Sequence, residues 1–252
     1  MVTEHPGREQ IPGLRQLWKL AFGDTDAFLD IFFETAFSPE RCLCTTEGKQ
    51  VAAALYWFDC QGAGQKYAYL YAVATDPGYR GRGLCHSLMA ATHDILRSRG
   101  YAGVILVPQE EGLRKLYGGM GYRDCGGVTE YFSAAGERAV PIRPVDADTY
   151  GKLRRTLLPE GGMIQEGENL RFLAATAKLY AGKDFLLAAS EQDGALWSVE
   201  LLGNAGAAPG ILKALGYEAG TFRMPGEDKP FAMFLPLQET AAAPAYFGFA
   251  FD

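Results

Sequence analysis

Apolar positions recur at helix spacing near the start of the chain, at Ile11, Leu14, Leu17, Trp18 and Phe22, until Gly23-Asp24 breaks the pattern. Asp24 or Thr25 can cap a second helix through about Phe37, with Phe28, Ile31, Phe32 and Ala36 as its stripe. The period then changes to two. Arg41–Thr46 and Val51–Cys60 read as strands around the Glu47-Gly48-Lys49-Gln50 turn. Lys66–Thr75 reads as a third, in which Tyr67, Tyr69 and Tyr71 alternate with Ala68, Leu70 and Ala72. Asp76-Pro77-Gly78 ends that strand, and Arg80-Gly81-Arg82-Gly83 leads into the clearest helix of the chain. Its stripe is Leu84, Leu88, Ala91 and Ile95, and Arg99-Gly100 stops it. Gly103–Val107 is a short apolar run expected to be a buried strand ended by Pro108. A helix over about Glu110–Tyr117 and a strand from Tyr122 follow.

Ala134-Ala135-Gly136-Glu137 is the candidate linker, dividing the chain into 1–135 and 136–252. Beyond it Val140–Pro144 is extended, and Asp146 can cap a helix carrying Tyr150, Leu153 and Leu157. Asn169–Tyr180 reads as another helix. Phe185–Ala189 and Leu196–Leu202 read as strands around Gln192-Asp193-Gly194, followed by a short helix at Ile211–Leu215 and a late strand at Phe231–Leu235. This order partly repeats that of the first half, with Met120-Gly121-Tyr122 and Leu215-Gly216-Tyr217 as possible equivalents. The pattern predicts an α/β fold with a mixed sheet, followed by a second, smaller α/β unit.

Composition narrows the function classes. The 252 residues are 48% hydrophobic and 21% charged, with a net charge of -6. Both halves are mildly acidic, so no basic face points to nucleic acid. No run approaches a membrane span, and no basic-then-apolar leader opens the chain. The five cysteines, Cys42, Cys44, Cys60, Cys85 and Cys125, form no metal-ligand pattern and read as reduced thiols, which makes a cytoplasmic protein without a metal the expectation.

The strand-turn-helix at Ala72–Leu88 carries the clearest chemistry. A helix start offers unpaired backbone N–H groups and a positive dipole end, and glycines let the backbone come close to a bulky diphosphate. Arg80 and Arg82 add charge. Each charge-assisted bond contributes roughly 1.5–3 kcal/mol, and micromolar affinity needs about 8 kcal/mol. The alternative is a tight turn with solvated arginines. A dinucleotide-binding fold would want a third glycine where His86 stands, and a Walker loop would need Gly-Lys-Ser/Thr.

The wider stretch Val73-Ala74-Thr75-Asp76-Pro77-Gly78-Tyr79-Arg80-Gly81-Arg82-Gly83-Leu84-Cys85 resembles the acetyl-CoA motif of the GNAT (Gcn5-related N-acetyltransferase) superfamily, Arg/Gln-x-x-Gly-x-Gly/Ala after a strand. Arg80 and Gly83 match it, whereas Cys85 replaces the usual glycine or alanine. Leu116-Tyr117-Gly118-Gly119-Met120-Gly121-Tyr122 resembles the family's Leu-Tyr-x-x-x-Gly-Phe, and the resemblance covers residues 1–133. It implies a central, splayed mixed sheet flanked by helices. It also implies acetyl-CoA as co-substrate, held by Val73, Thr75, Arg80, Gly81, Arg82, Gly83, Leu84 and Cys85. Glu110 stands where the family often has an asparagine facing the pantetheine. By the same resemblance Tyr117 protonates the departing thiolate, which suits a phenol (pKa about 10) beside a thiol (about 8.5); without the motif, Tyr117 would read as a core aromatic. The implied reaction is transfer of an acetyl group to a primary amine of a small molecule or peptide, and the alternative is a non-catalytic acyl-CoA-binding or regulatory protein.

The base that frees the amine is not marked by sequence. Glu130 is equally readable as an exposed strand carboxylate, and His86 and His93 as surface or structural residues. The second half has no Arg/Gln-x-x-Gly-x-Gly turn; its Gly203-Asn204-Ala205-Gly206 stretch lacks an adjacent arginine. The arrangement resembles tandem GNAT proteins such as the mycobacterial enhanced-intracellular-survival family, which implies a degenerate second GNAT-like half shaping the acceptor pocket. The chain is expected to lack that family's third, sterol-carrier-like domain. Its ending, Ala245-Tyr246-Phe247-Gly248-Phe249-Ala250-Phe251-Asp252, is apolar and aromatic and is expected to dock, making the Asp252 carboxylates candidates for the base. A homo-oligomer remains open.

Overall fold

The computed structural model describes residues 1–251; Asp252 lies outside the described residues. The first half runs β1 (Val2–Glu4), α1 (Ile11–Phe22), α2 (Asp26–Thr35), β2 (Cys42–Glu47), β3 (Gln50–Gly62), β4 (Gln65–Thr75), α3 (Leu84–Ser98), β5 (Gly103–Leu106), α4 (Glu111–Gly119) and β6 (Arg123–Ala134). The second runs β7 (Arg143–Pro144), α5 (Ala147–Leu157), β8 (Ile164–Gln165), α6 (Glu168–Thr176), β9 (Lys178–Ala181), β10 (Phe185–Gln192), β11 (Ala195–Gly203), α7 (Ala208–Leu215), β12 (Ala219–Pro225) and β13 (Lys229–Pro236). It is a mixed α/β fold with helices on a large sheet.

Period two sorts the core. Ala54, Tyr56, Phe58 and Cys60 of β3, with Tyr67 and Tyr69 of β4, belong to the cluster that includes α1, α2 and the carboxy-terminal residues. The alternate residues Ala53, Leu55, Trp57, Ala68 and Leu70 belong to the cluster under α3 and α4. The expected stripe of α3 is displaced. The residues it buries are Leu88, Met89, Thr92 and Leu96, while Ala91 and Ile95 pack half-buried at its border. Thr92 enters the core because its hydroxyl donates to the Leu88 carbonyl at 2.8 Å, which satisfies it within the helix.

The strands form a single sheet in the order β1-β2-β3-β4-β5-β13-β6-β12-β11-β10-β9-β7, with β8 beside β3. The last strand of each half is therefore inserted next to the other half: β13 lies between β5 and β6, and β6 lies between β13 and β12. Pairing reads alike outward from the β13–β6 pair. It is antiparallel to β5 and to β12, then parallel to β4 and to β11, then antiparallel to each edge.

Three sequence expectations change. Lys178–Ala181 is strand β9 rather than the end of a helix, because Leu179 and Tyr180 pair with Ala188 and Leu187 of β10. β12 has no counterpart in the sequence reading. Finally, Leu215-Gly216-Tyr217 answers Gly100-Tyr101 rather than Met120-Gly121-Tyr122. Both Gly100 (φ 77) and Gly216 (φ 82) end the helix that precedes the parallel strand. Tyr101 N–H and Tyr217 N–H then bond back to Leu96 and Leu212 carbonyls, each at 3.0 Å. No helix stands between β12 and β13, so the second half has no equivalent of α4.

Candidate active site

At the end of β4, Asp76 caps a single 3-10 turn, its Oδ1 accepting from Gly78 N–H at 2.8 Å. Gly81 (φ 75) and Gly83 (φ 76) follow in the left-handed region, so the chain reverses into α3 with Gly83 as its cap and no side chain closing the end. The first amides of such a helix have no acceptor within it. A Cβ at Gly81 or Gly83 would meet nothing within 4 Å, so the turn faces open space on this side. Arg82 lies over the Tyr79 ring, 4.9 Å from its centroid, and donates to the Gly78 carbonyl at 3.1 Å. Arg80 Nε lies 3.4 Å from the Thr75 carbonyl. Leu84 and Cys85 begin α3 half-buried, and burial pushes the Cys85 thiol pKa up.

β4 parts from its neighbour before reaching this turn. Its parallel pairing with β5 covers Tyr67–Tyr69 against Gly103–Ile105, and Leu70–Thr75 continue beyond it. On the other side β4 stays paired to β3 up to Thr75, across a register shift at which Ala72 adopts φ 48. A left-handed alanine is uncommon and persists where neighbouring pairing over-determines it. The shift turns the following residues, and Val73 lines a cavity of about 470 Å³. Leu106, Val107, Pro108 and Gln109, at and after the end of β5, line the same cavity. Thr75 and Arg80–Cys85 lie outside that lining, and so does Glu110, the exposed residue that caps α4.

Tyr117 projects from α4 into the same cavity and is 6% exposed. Among the described residues its hydroxyl has no hydrogen-bond partner. Burial, and after it the Cys85 thiol, raise its pKa well above that of a free phenol, so it carries its proton at neutral pH. Arg114 fixes the helix: it pairs with Asp124 and donates to the Pro230 and Phe231 carbonyls of β13 at 2.9 and 3.1 Å. The exchanged strand thus braces the helix that carries Tyr117.

The family model described as an acetyltransferase (GNAT) domain matches residues 5–125. Residues 5–125 form a GNAT domain. Crystal structures of GCN5-related N-acetyltransferases from Kribbella flavida and Anabaena variabilis share the fold. Their TM-scores are 0.71 and 0.74 at 19% and 16% identity, covering 94% of this chain and 72% and 73% of theirs. Eis1 from Mycobacterium abscessus is similar at a TM-score of 0.69 and 12% identity, over 94% of this chain and 74% of its own. No curated protein matches the chain.

Carboxy-terminal residues also line the cavity, at Ala250 and Phe251. Phe249 is fully buried, and Phe251 lines the cavity against Phe58 and Phe172, with ring centroids 4.9 and 4.7 Å apart. A buried pair, Arg154 and Glu200, anchors this segment. Arg154 Nε and Nη2 donate to Glu200 at 2.8 and 2.9 Å, and the Tyr150 and Tyr246 hydroxyls donate to the same carboxylate. The Arg154 guanidinium also lies over the Phe249 ring.

Glu130 is engaged elsewhere. Its oxygens accept from Arg223 Nε at 2.8 Å and Lys229 Nζ at 2.6 Å. Burial opposes its charge, but these bonds outweigh burial and hold its pKa below the usual carboxylate range. His86 is exposed, and His93 bonds to the Tyr122 hydroxyl at 2.7 Å in the packing under α3.

Sequence reasoning missed many of the residues that line the cavity. Trp18, Phe22 and Phe28 read only as helix stripes, and Phe172, Trp197 and Arg223 carry no local signal. All six line the cavity, as does Asp24. Gln109, next to the expected Glu110, is another polar lining residue the reading passed over, as are Thr176 and Ser190.

Proposed function

We propose that the chain is an acetyl-CoA-dependent N-acetyltransferase acting on a primary amine. The observation that carries the reading is the splay of β4 from β5, which leaves Leu70–Thr75 beyond the pairing and opens a cavity onto Val73 and Tyr117.

The residues present fit the cofactor. The open turn with Gly81 and Gly83, the first amides of α3 and the Arg80 and Arg82 charges suit a pyrophosphate. The β4 backbone at Val73 and Thr75 suits an extended pantetheine arm. When bound, acetyl-CoA supplies the thioester that a neutral amine attacks, with coenzyme A thiolate as leaving group. Tyr117, held protonated by burial, donates its proton to the departing sulfur. The Asp252 carboxylates are the proposed base for the amine proton; Phe251, the residue before them, lines the cavity. Glu130 is not proposed, since two cations already hold it ionised and occupied.

The second half, in this reading, is a degenerate GNAT-like unit in 136–252 that shapes the acceptor side, and 1–135 is the catalytic unit. The symmetric pairing about β13 and β6 supports a duplication, and the missing α4 equivalent explains why the second half would carry no second acid. The test is thiol release from acetyl-CoA with a panel of primary amines. Amine-dependent release supports the reading; binding of acetyl-CoA with no release from any amine would replace it with a non-catalytic acyl-CoA-binding protein.

A further inference from the structure

The cavity is lined by two chemically different sets of residues. Val73, Tyr117 and the end of β5 belong to the GNAT-like half of the site. Phe22 and Phe28 beside the α1–α2 link, Phe172 on α6 and Trp197 on β11 add an aromatic lining. Apart from tyrosines, the ionisable side chains among the described lining residues are Asp24 and Arg223.

Asp24 is held firmly. Gly23 (φ 76) ends α1, and Thr25 starts α2 by accepting from Phe28 N–H at 3.2 Å, so Asp24 sits in the short link between two caps. Its Oδ2 accepts from Trp18 Nε1 at 2.7 Å. Trp18 in turn packs on Phe22 and Phe28, with centroids 5.9 and 6.5 Å apart, so one indole gathers the carboxylate and both rings. An ionised carboxylate accepts more than one bond, and aromatic faces beside it favour a cation. Arg223 sits between the Phe231 and Trp197 rings at 4.6 and 5.2 Å and pairs with Glu130. It offers no negative group to a second ammonium, which would be desolvated among rings without a partner.

We infer that the acceptor side of this cavity binds a monoamine, with one ammonium at Asp24 and a flat aromatic or apolar body against Phe28, Phe172 and Trp197. This rests on the acyltransferase reading of the same site. It distinguishes the acceptor from polyamines and other polycations, which need a further carboxylate for each added ammonium beyond Asp24 and the Asp252 base that serves the reacting nitrogen.

The test is calorimetric titration of the full chain at pH 7 with phenethylamine and, separately, spermidine, each with and without desulfo-coenzyme A. Quenching of tryptophan fluorescence gives a second readout, since two of the three tryptophans, Trp18 and Trp197, line the cavity. Phenethylamine is expected to bind at least about ten-fold tighter than spermidine, and Asp24→Asn to weaken it about ten-fold. Phe28→Leu, which keeps an apolar side chain but removes the ring, is expected to weaken phenethylamine and leave spermidine unchanged. Spermidine binding as tightly as phenethylamine, or phenethylamine affinity unchanged in both variants, would overturn the inference. Thiol release from acetyl-CoA across the amine panel decides the acyltransferase reading, whereas the amine titrations decide this inference, so the two failures are separable.

Discussion

The Tyr246 hydroxyl donates to Glu200 Oε1 at 3.0 Å, tying the carboxy-terminal segment to the middle of β11. Because Glu200 also holds buried Arg154, the aromatic ending of the chain is locked to a charge pair rather than merely packed. Removing one member of such a pair strands the other and costs about 3–5 kcal/mol. Glu200→Ala should therefore lower Tm sharply. Tyr246→Phe, which deletes one hydroxyl, should cost about 1–2 kcal/mol. Denaturant unfolding of the two variants checks the order; equal stabilities would contradict it.

Gly248 tests the same clamp from the backbone. It has φ 107, and a Cβ there would come 2.2 Å from both Arg154 Nη2 and Gln165 Oε1. Gly248→Ala should destabilise the fold and raise KM for the acceptor amine more than the Kd of acetyl-CoA, because Phe251 lines the acceptor cavity. A change in cofactor binding alone would place the segment's role elsewhere.

Tyr117→Phe should lower kcat about 10²-fold or more, the usual contribution of a positioned general acid, with acetyl-CoA affinity little changed. Since burial raises the Tyr117 pKa, kcat should not fall on the alkaline side through ionisation of a phenol near pH 10. A full-activity Phe variant would remove Tyr117 from the mechanism.

His93 gives a stability prediction with a definite sign. Burial, with a further push from Arg97, lowers its pKa from 6.5 to about 4. Between those values the unfolded chain binds a proton that the folded chain refuses, so stability is lost as pH falls from about 6.5 towards 4. His93→Gln can keep a bond to the Tyr122 hydroxyl without titrating. Its Tm should therefore fall less steeply across that window than the wild type's.

The exchanged strands make the halves interdependent. Residues 1–135 alone would leave β5 and β6 without β13 between them, exposing strand edges. This fragment should not form a stable monomer, and co-expression with 136–252 should restore it. A monomeric fragment with a cooperative thermal transition would contradict this.

Legibility followed the range of the interactions. The alternating tyrosines of β4 and the glycines before α3 act through local backbone preference, so that strand, turn and helix were readable in place. The α3 stripe was rotated because burial was set by which neighbours the helix met, and Thr92 could enter by bonding to its own helix. Lys178–Tyr180 reads locally as the end of a helix, but pairing with β10 decides otherwise. The insertion of β13 between β5 and β6, and the joining of Asp24, Phe172 and Trp197 around one cavity, depend on contacts across well over a hundred residues. No local pattern encodes those. The role assigned to Asp252 falls outside the described residues and rests on the docked segment before it.

The most direct test of the account is calorimetric titration of the purified chain with acetyl-CoA, wild type against Arg80→Ala. Micromolar binding, weakened about ten-fold or more by loss of one charge-assisted contact, is the predicted result. Absence of binding by the wild type would make the Arg80–Cys85 turn a structural reversal only, and the acyltransferase reading would fall.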